Sequence, residues 1–212
     1  MKSIVKALLV LILVVAVALG ALAVSIMNRG ISARTEPTWI EVQIARTMRH
    51  LAIPRADRGR ASPVPPSPKT IRAGLEHFAD HCAICHANDG SGDVDIGRSL
   101  YPKAPDLRDS QTQALSDGEL FYIIENGIRL TGMPAWGTGT AEGETASWHL
   151  VHFIRHLPKM TPAELAQMEE LNPKSPHELR EEEEIRRFLE GEAPKPPARD
   201  PRGHRHPGGK ND

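Results

Sequence analysis

Residues 82–86 read Cys-Ala-Ile-Cys-His, and no other cysteine occurs in the 212-residue chain. Both thiols fall within one short segment, which excludes a disulfide framework spread across a fold. Three chemistries remain: a dithiol redox couple, half of a zinc site, or a haem attachment site of the form C-x-x-C-H. A thioredoxin-like couple calls for strand–helix–strand surroundings, which the flanking sequence does not offer. A structural zinc site calls for a second pair of ligands, and there is none. The haem reading has a geometric reason. At the end of a helix, cysteines three residues apart reach the two vinyl groups along one porphyrin edge. The adjacent His86 then projects its imidazole toward the iron.

Upstream, Thr70 is a good helix cap, and Ile71, Leu75, Phe78, Ala79 and Cys82 share one helical face, which predicts a helix running straight into the motif. Downstream, residues 88–109 are rich in Gly, Pro and Asp and read as an ordered loop. Ser116 and Glu119 form a capping box that opens a short helix through Leu120, Tyr122, Ile123 and Ile124, ending at Asn126-Gly127. A loop then carries Gly132-Met133-Pro134, and a last helix is expected from Thr145 to Leu157, with Trp148, Val151, His152 and Arg155 around it.

In that order, the helix with Gly74 and Phe78, the CAICH motif, Ala104-Pro105-Asp106-Leu107, and Gly132-Met133-Pro134 before a terminal helix resemble the class I c-type cytochromes over about residues 70–157. The resemblance implies a small all-α domain wrapped around one covalently attached haem c. Its cofactor-binding residues would be Cys82, Cys85, His86, Met133, Pro105, Tyr101 and Trp136, with Ile124 as a further pocket wall. His86 and Met133 would be the iron ligands, and no residue would be catalytic. Pro105 would offer its carbonyl to the proximal His86, with Pro102 as a rival. Gly74 and Phe78 would meet Trp148 where the first and last helices cross. His149 or His152 in place of Met133 would give bis-histidine iron of lower potential, because methionine ligation raises it.

The N-terminus carries a second strong signal. Lys2 and Lys6 flank its start, and residues 7–27 are uncharged and almost wholly apolar. That is long enough to cross a bilayer core of ~30 Å and longer than the ~7–15-residue apolar region of a signal peptide. Residues 1–27 therefore read as a transmembrane signal anchor, although Ala21-Leu22-Ala23 has the form of a cleavage site. Residues 28–69 read as a juxtamembrane helix and a Pro-rich linker. Thr38 and Glu41 form a capping box, and Ile40, Ile44, Met48 and Leu51 recur at helical spacing, a stripe suited either to a membrane surface or to the folded domain. Residues 54–69 read as an extended, semi-rigid tether. The cytochrome domain is placed at 70–158, a helical extension with starts at Thr161 and Ser175 at 159–190, and a disordered tail at 191–212, where His204 and His206 are a weak metal-binding pattern.

Lysine and arginine number 26 against 27 acidic residues, so no nucleic-acid partner is indicated. The expected function is electron transfer by a membrane-tethered monohaem protein, with the haem domain on the periplasmic side of a bacterial inner membrane. Expected partners are a quinol-oxidising complex or dehydrogenase upstream and an oxidase or reductase downstream. Two alternatives stay open: a cytochrome subunit of a larger respiratory complex, and a haem enzyme or small-ligand sensor with a labile Met133.

Overall fold

Helix boundaries follow from local capping chemistry. The computed structural model describes residues 2–30, 32–174 and 176–191, and all regular structure among them is helical, with no strand. Helix α1 spans Lys2–Arg29 and α2 spans Trp39–Ala52. Helix α3 (Pro68–His77) is followed by a wider π-helical turn (Phe78–Cys82) and the short α4 (Ala83–His86). Helices α5 (Asp117–Asn126), α6 (Ala141–His156) and α7 (Pro162–Leu171) complete the unit that runs to Asn172. A separate unit from Pro173 contains α8 (Pro176–Leu189). The expected cap at Ser175, most of the tail, and His204 and His206 lie outside the described residues.

The cap of α3 is Ser67, not Thr70: its Oγ accepts from the Thr70 amide at 3.1 Å. Pro68 then takes the first helical position, where a missing N–H costs nothing. Helix α6 likewise starts before Thr145, because Thr140 accepts from the Gly143 amide at 3.1 Å. The capping boxes at Thr38, Ser116 and Thr161 form as their spacing predicts.

The core lies where α3 crosses α6. Gly74 sits against the His149 carbonyl, and a Cβ there would come within 2.7 Å of the Phe153 Cβ. Phe78 and Phe153 pack with ring centroids 5.1 Å apart. Trp148, expected at this crossing, instead stacks on Phe121 at 4.3 Å, with the Arg60 guanidinium 4.4 Å from the Phe121 ring centre. The first and last helices do cross at Gly74, where α6 presents the His149 carbonyl and Phe153, and Trp148 and Phe78 share one buried cluster. Met168 of α7 is fully buried in the same core, so residues up to Asn172 pack with the cytochrome-like segment.

The Pro-rich segment is not a free tether. Ile53 is buried, the Arg58 carbonyl accepts from Ser116 Oγ at 2.7 Å, and Arg60 pairs with Glu144 at 2.7 Å. The buried His152 donates from Nε2 to the Val64 carbonyl at 2.8 Å. Residues Arg55–Arg58 form one helical turn, and the extended, proline-rich stretch after it presents its carbonyls sideways; Ser116 takes up the Arg58 carbonyl and His152 that of Val64. Replacing His152 with phenylalanine should cost ~0.5–1.5 kcal/mol by removing one of the two donors to that carbonyl, the other being Ser62 Oγ at 2.8 Å. A denaturant melt would show the loss. The visible spectrum of the reduced protein should stay unchanged, because His152 points away from the cleft described next.

Candidate functional site

The end of the α3–α4 stretch carries the motif. The Ala83 amide donates to the Phe78 carbonyl, a five-residue π-type step rather than the α-helical four. Such wide turns rotate the following side chains relative to the preceding face and recur at functional sites. Here Phe78, Cys82 and His86 line a cleft, while Ala83 joins the core. Ala87 ends α4 at φ +62°, and the chain turns back at once, with the Gly92 amide bonded to the His86 carbonyl at 2.8 Å.

The cleft is a cavity of about 100 Å³, open on one side. His86 and Pro105 lie on its lining, and so do Met133, Trp136, Ile124 and Ile128. The Met133 loop is fixed by its backbone: the Met133 carbonyl accepts from the Ile128 amide at 3.1 Å, and the Met133 amide donates to Thr131 Oγ1 at 3.1 Å. Gly127, at φ +64°, permits this approach, since a Cβ there would stand 2.7 Å from the Met133 carbonyl oxygen. Trp136 is held by its amide on the Ile124 carbonyl (3.0 Å), with its ring edge-on to His81.

Tyr101 departs from expectation. It does not line the cleft; its ring is exposed and its hydroxyl donates to Glu41 at 3.3 Å. The segment 100–104 runs past α2, and that is where the ring finds a partner. Cys85 sits one turn from Cys82, half-buried beside the cleft rather than on its wall. Pro102, the rival to Pro105, does not line the cleft, and neither do His149 and His152. Arg49 of α2 does line it, although the apolar stripe drew attention to other faces of that helix. The available signal was the spacing of Val42, Arg49 and Ile53, seven and then four residues apart on one face.

The electrostatics separate the chemistries left open by the sequence. Burial, reinforced by the neighbouring Cys85, pushes the Cys82 thiol up to about 12. Burial also raises Cys85. Reactive dithiols carry a lowered thiol instead, and neither cysteine here is lowered. Among the described residues no three His, Cys, Asp or Glu side chains converge on one point, which leaves zinc without a donor set. Burial lowers the His86 pKa, and the Pro105 backbone, facing the ring, partly offsets this. His86 Nδ1 nevertheless makes no hydrogen bond within ordinary geometric limits. A neutral imidazole, a thioether and an apolar wall suit a porphyrin-bound iron.

A charged cluster holds this geometry. Arg108 bridges Asp89 and Asp106 at 2.7 Å each, tying the turn after His86 to the Pro105 segment. Hydrogen bonds from Arg108 hold the Asp106 carboxyl below its ordinary range. A depressed carboxylate stabilises the fold above its unfolded pKa, and the contribution is lost as pH falls through the lower folded value. The Arg108→Met variant should therefore lose about 1 kcal/mol near pH 7, since the groups are partly exposed. Thermal melts across pH 7 to 3 should show that deficit shrinking toward zero at the acid end.

The family model described as cytochrome C oxidase, cbb3-type, subunit III matches residues 69–154. A chain of the Kuenenia stuttgartiensis reducing HAO-like protein complex is similar at 22% identity with a TM-score of 0.41. That alignment covers 46% of this chain and 47% of the other, so this chain spans under half the length of that relative. Motif order and family match coincide on one segment: residues 69–154 are a class I c-type cytochrome domain, whose cofactor is covalently bound haem c.

Proposed function

We propose that this protein is a membrane-tethered monohaem electron carrier, with His86 and Met133 as axial ligands and Cys82 and Cys85 as the thioether attachment points. The observation that supports the reading best is the placement of His86 and Met133 on the lining of one apolar cleft, although they lie 47 residues apart. Haem c supplies the one-electron couple when bound. The chain's own residues orient and shield it: the Pro105 segment sets the face of the His86 ring, Gly127 and Thr131 hold the Met133 loop, and the Leu120, Ile124 and Leu150 side chains exclude water from the cleft. With His86 and Met133 both holding the iron, no position would be left for substrate, and the group would supply electron exchange at a potential tuned by the residues around it.

Tethering is supported by α1, in which the 26 residues Ser3–Asn28 are uncharged apart from Lys6 and unburied. At ~1.5 Å per residue the span exceeds a ~30 Å hydrocarbon core. Helix α2 adds to it. Ile40, Ile44, Met48 and Leu51 are all exposed, so the apolar stripe does not pack on the domain and is free to lie in an interface. The haem domain then faces the periplasm of a bacterial inner membrane, where quinol-oxidising complexes or dehydrogenases deliver electrons and oxidases or reductases remove them. A second reading, a subunit of a larger respiratory complex, is favoured by the name of the matching family and by the exposed Leu179, Ile185, Phe188 and Leu189 of α8.

Whole-protein mass spectrometry on material from the membrane fraction tests the carrier reading. One haem adduct on a chain that resists alkaline extraction is expected. Two haems, or release into the soluble fraction, would overturn the monohaem or the tethered part respectively. Co-migration with partners in mild detergent would select the subunit reading.

A further inference from the structure

Helix α2 has two working faces, and the one opposite its apolar stripe points at the haem cleft. The helix is anchored by ion pairs and hydrogen bonds: His50 Nδ1 meets Glu119 at 3.0 Å, Tyr101 donates to Glu41, and Arg58 Nη2 donates to the Leu51 carbonyl at 3.3 Å. Lys103 pairs with Glu36 just before the helix. Between these anchors Arg49 enters the cleft lining beside the residues that would face the haem.

Arg49 is an anomaly there. Its Nε is buried without a hydrogen-bond partner, and no hydrogen bond or ion pair to the guanidinium is found among the described residues. Glu119 is the acid whose field reaches it, but that carboxylate already accepts from the Ser116 amide at 2.8 Å and meets His50. Arg46 adds repulsion, and burial disfavours the charge further. Arg49 as a whole is half-buried, but its Nε donor is cut off from water, and a buried donor without a partner calls for an unseen acceptor. The cleft's own cofactor carries suitable anions: haem tethered along its vinyl edge has two propionate carboxylates on the opposite edge. Arginine matches a carboxylate with two parallel N–H donors.

We infer that Arg49 binds a haem propionate, so that helix α2, which lies outside the segment matched by the cytochrome family, completes the cofactor site. The inference rests on haem occupying the cleft lined by His86 and Met133. It makes the juxtamembrane helix a lid over one haem edge: its inner face holds a cofactor carboxylate and its outer face is the exposed apolar stripe.

The test is made on the full-length holoprotein in detergent. Resonance Raman spectroscopy reads the propionate bending band, which responds to hydrogen bonding at the carboxylate and not to a distant charge. A parallel redox titration reads the potential. In the Arg49→Met variant the band should shift to lower frequency and the potential should fall, because the oxidised, more positive haem is no longer disfavoured by a nearby cation. The Arg49→Lys variant should restore most of the potential, since it keeps the charge. Should Arg49→Met fail to retain haem, Arg49→Gln is read the same way. An unchanged propionate band in a variant with a normal reduced visible spectrum overturns the inference and leaves the haem assignment standing. An abnormal spectrum in the unmodified protein would instead remove the reading on which it rests.

Discussion

The Gly74→Ala variant should fail to accumulate as a haem-loaded protein, although alanine is the better helix former. By propensity alone the change would favour α3 by about 1 kcal/mol. The crossing with α6 reverses that sign. A methyl group at 74 would overlap the His149 carbonyl and approach the Phe153 Cβ at 2.7 Å, and neither is the free end of a flexible side chain. Relief requires α3 and α6 to separate, which would open the Phe78–Phe153 contact and the buried Leu75. Ordinary overpacking costs ~1–3 kcal/mol, and a backbone clash at the central crossing exceeds it. Against a total stability of ~5–15 kcal/mol, such a loss leaves too little folded protein for haem attachment. Comparing covalent-haem staining of the two proteins after export checks the expectation. Equal staining would mean that the helices cross elsewhere.

Replacing Met133 with alanine should produce the largest spectroscopic change of any single substitution. The Met133 loop is held by its backbone, through Ile128, Thr131 and the close approach of Gly127, so truncating the side chain leaves the loop in place. The variant should fold, keep its covalent haem, become high-spin and bind carbon monoxide. Its potential should fall, because thioether ligation raises it. A variant that stays low-spin would point to another ligand moving in. The nearest imidazoles by sequence, His149 and His152, do not line the cleft, and His152 is already bonded to Val64 and Ser62.

The parts of the molecule governed by local chemistry were readable from the sequence. The capping boxes at Thr38, Ser116 and Thr161 depend on residues three apart, and each forms. The CAICH motif, Pro105, Met133 and Trp136 carry their order along the chain, and the fold brings His86, Pro105, Met133 and Trp136 onto one cleft. What was not readable depends on partners far away in sequence. Residues 54–69 look like a linker because they lack apolar periodicity, yet their carbonyls are used by Ser116 and His152. Tyr101 looked like a pocket wall, but Glu41, 60 residues earlier, takes its hydroxyl. The π-type turn after His77 leaves no mark on the hydrophobic pattern. Arg49 lies off the stripe of four apolar residues that marks α2 in the sequence, and that stripe is the face that proves to be exposed. Apolar periodicity tells that a helix has a greasy side and does not tell which side the domain takes.

The most direct test of the account is a visible absorption spectrum of the unmodified, exported protein, oxidised and reduced, with and without carbon monoxide. A low-spin c-type spectrum that carbon monoxide leaves unchanged is the predicted result, because His86 and Met133 would fill both axial positions. A high-spin spectrum, or ready carbon monoxide binding, would contradict it: the iron would have an open position, and the protein would act on a small ligand rather than carry electrons alone.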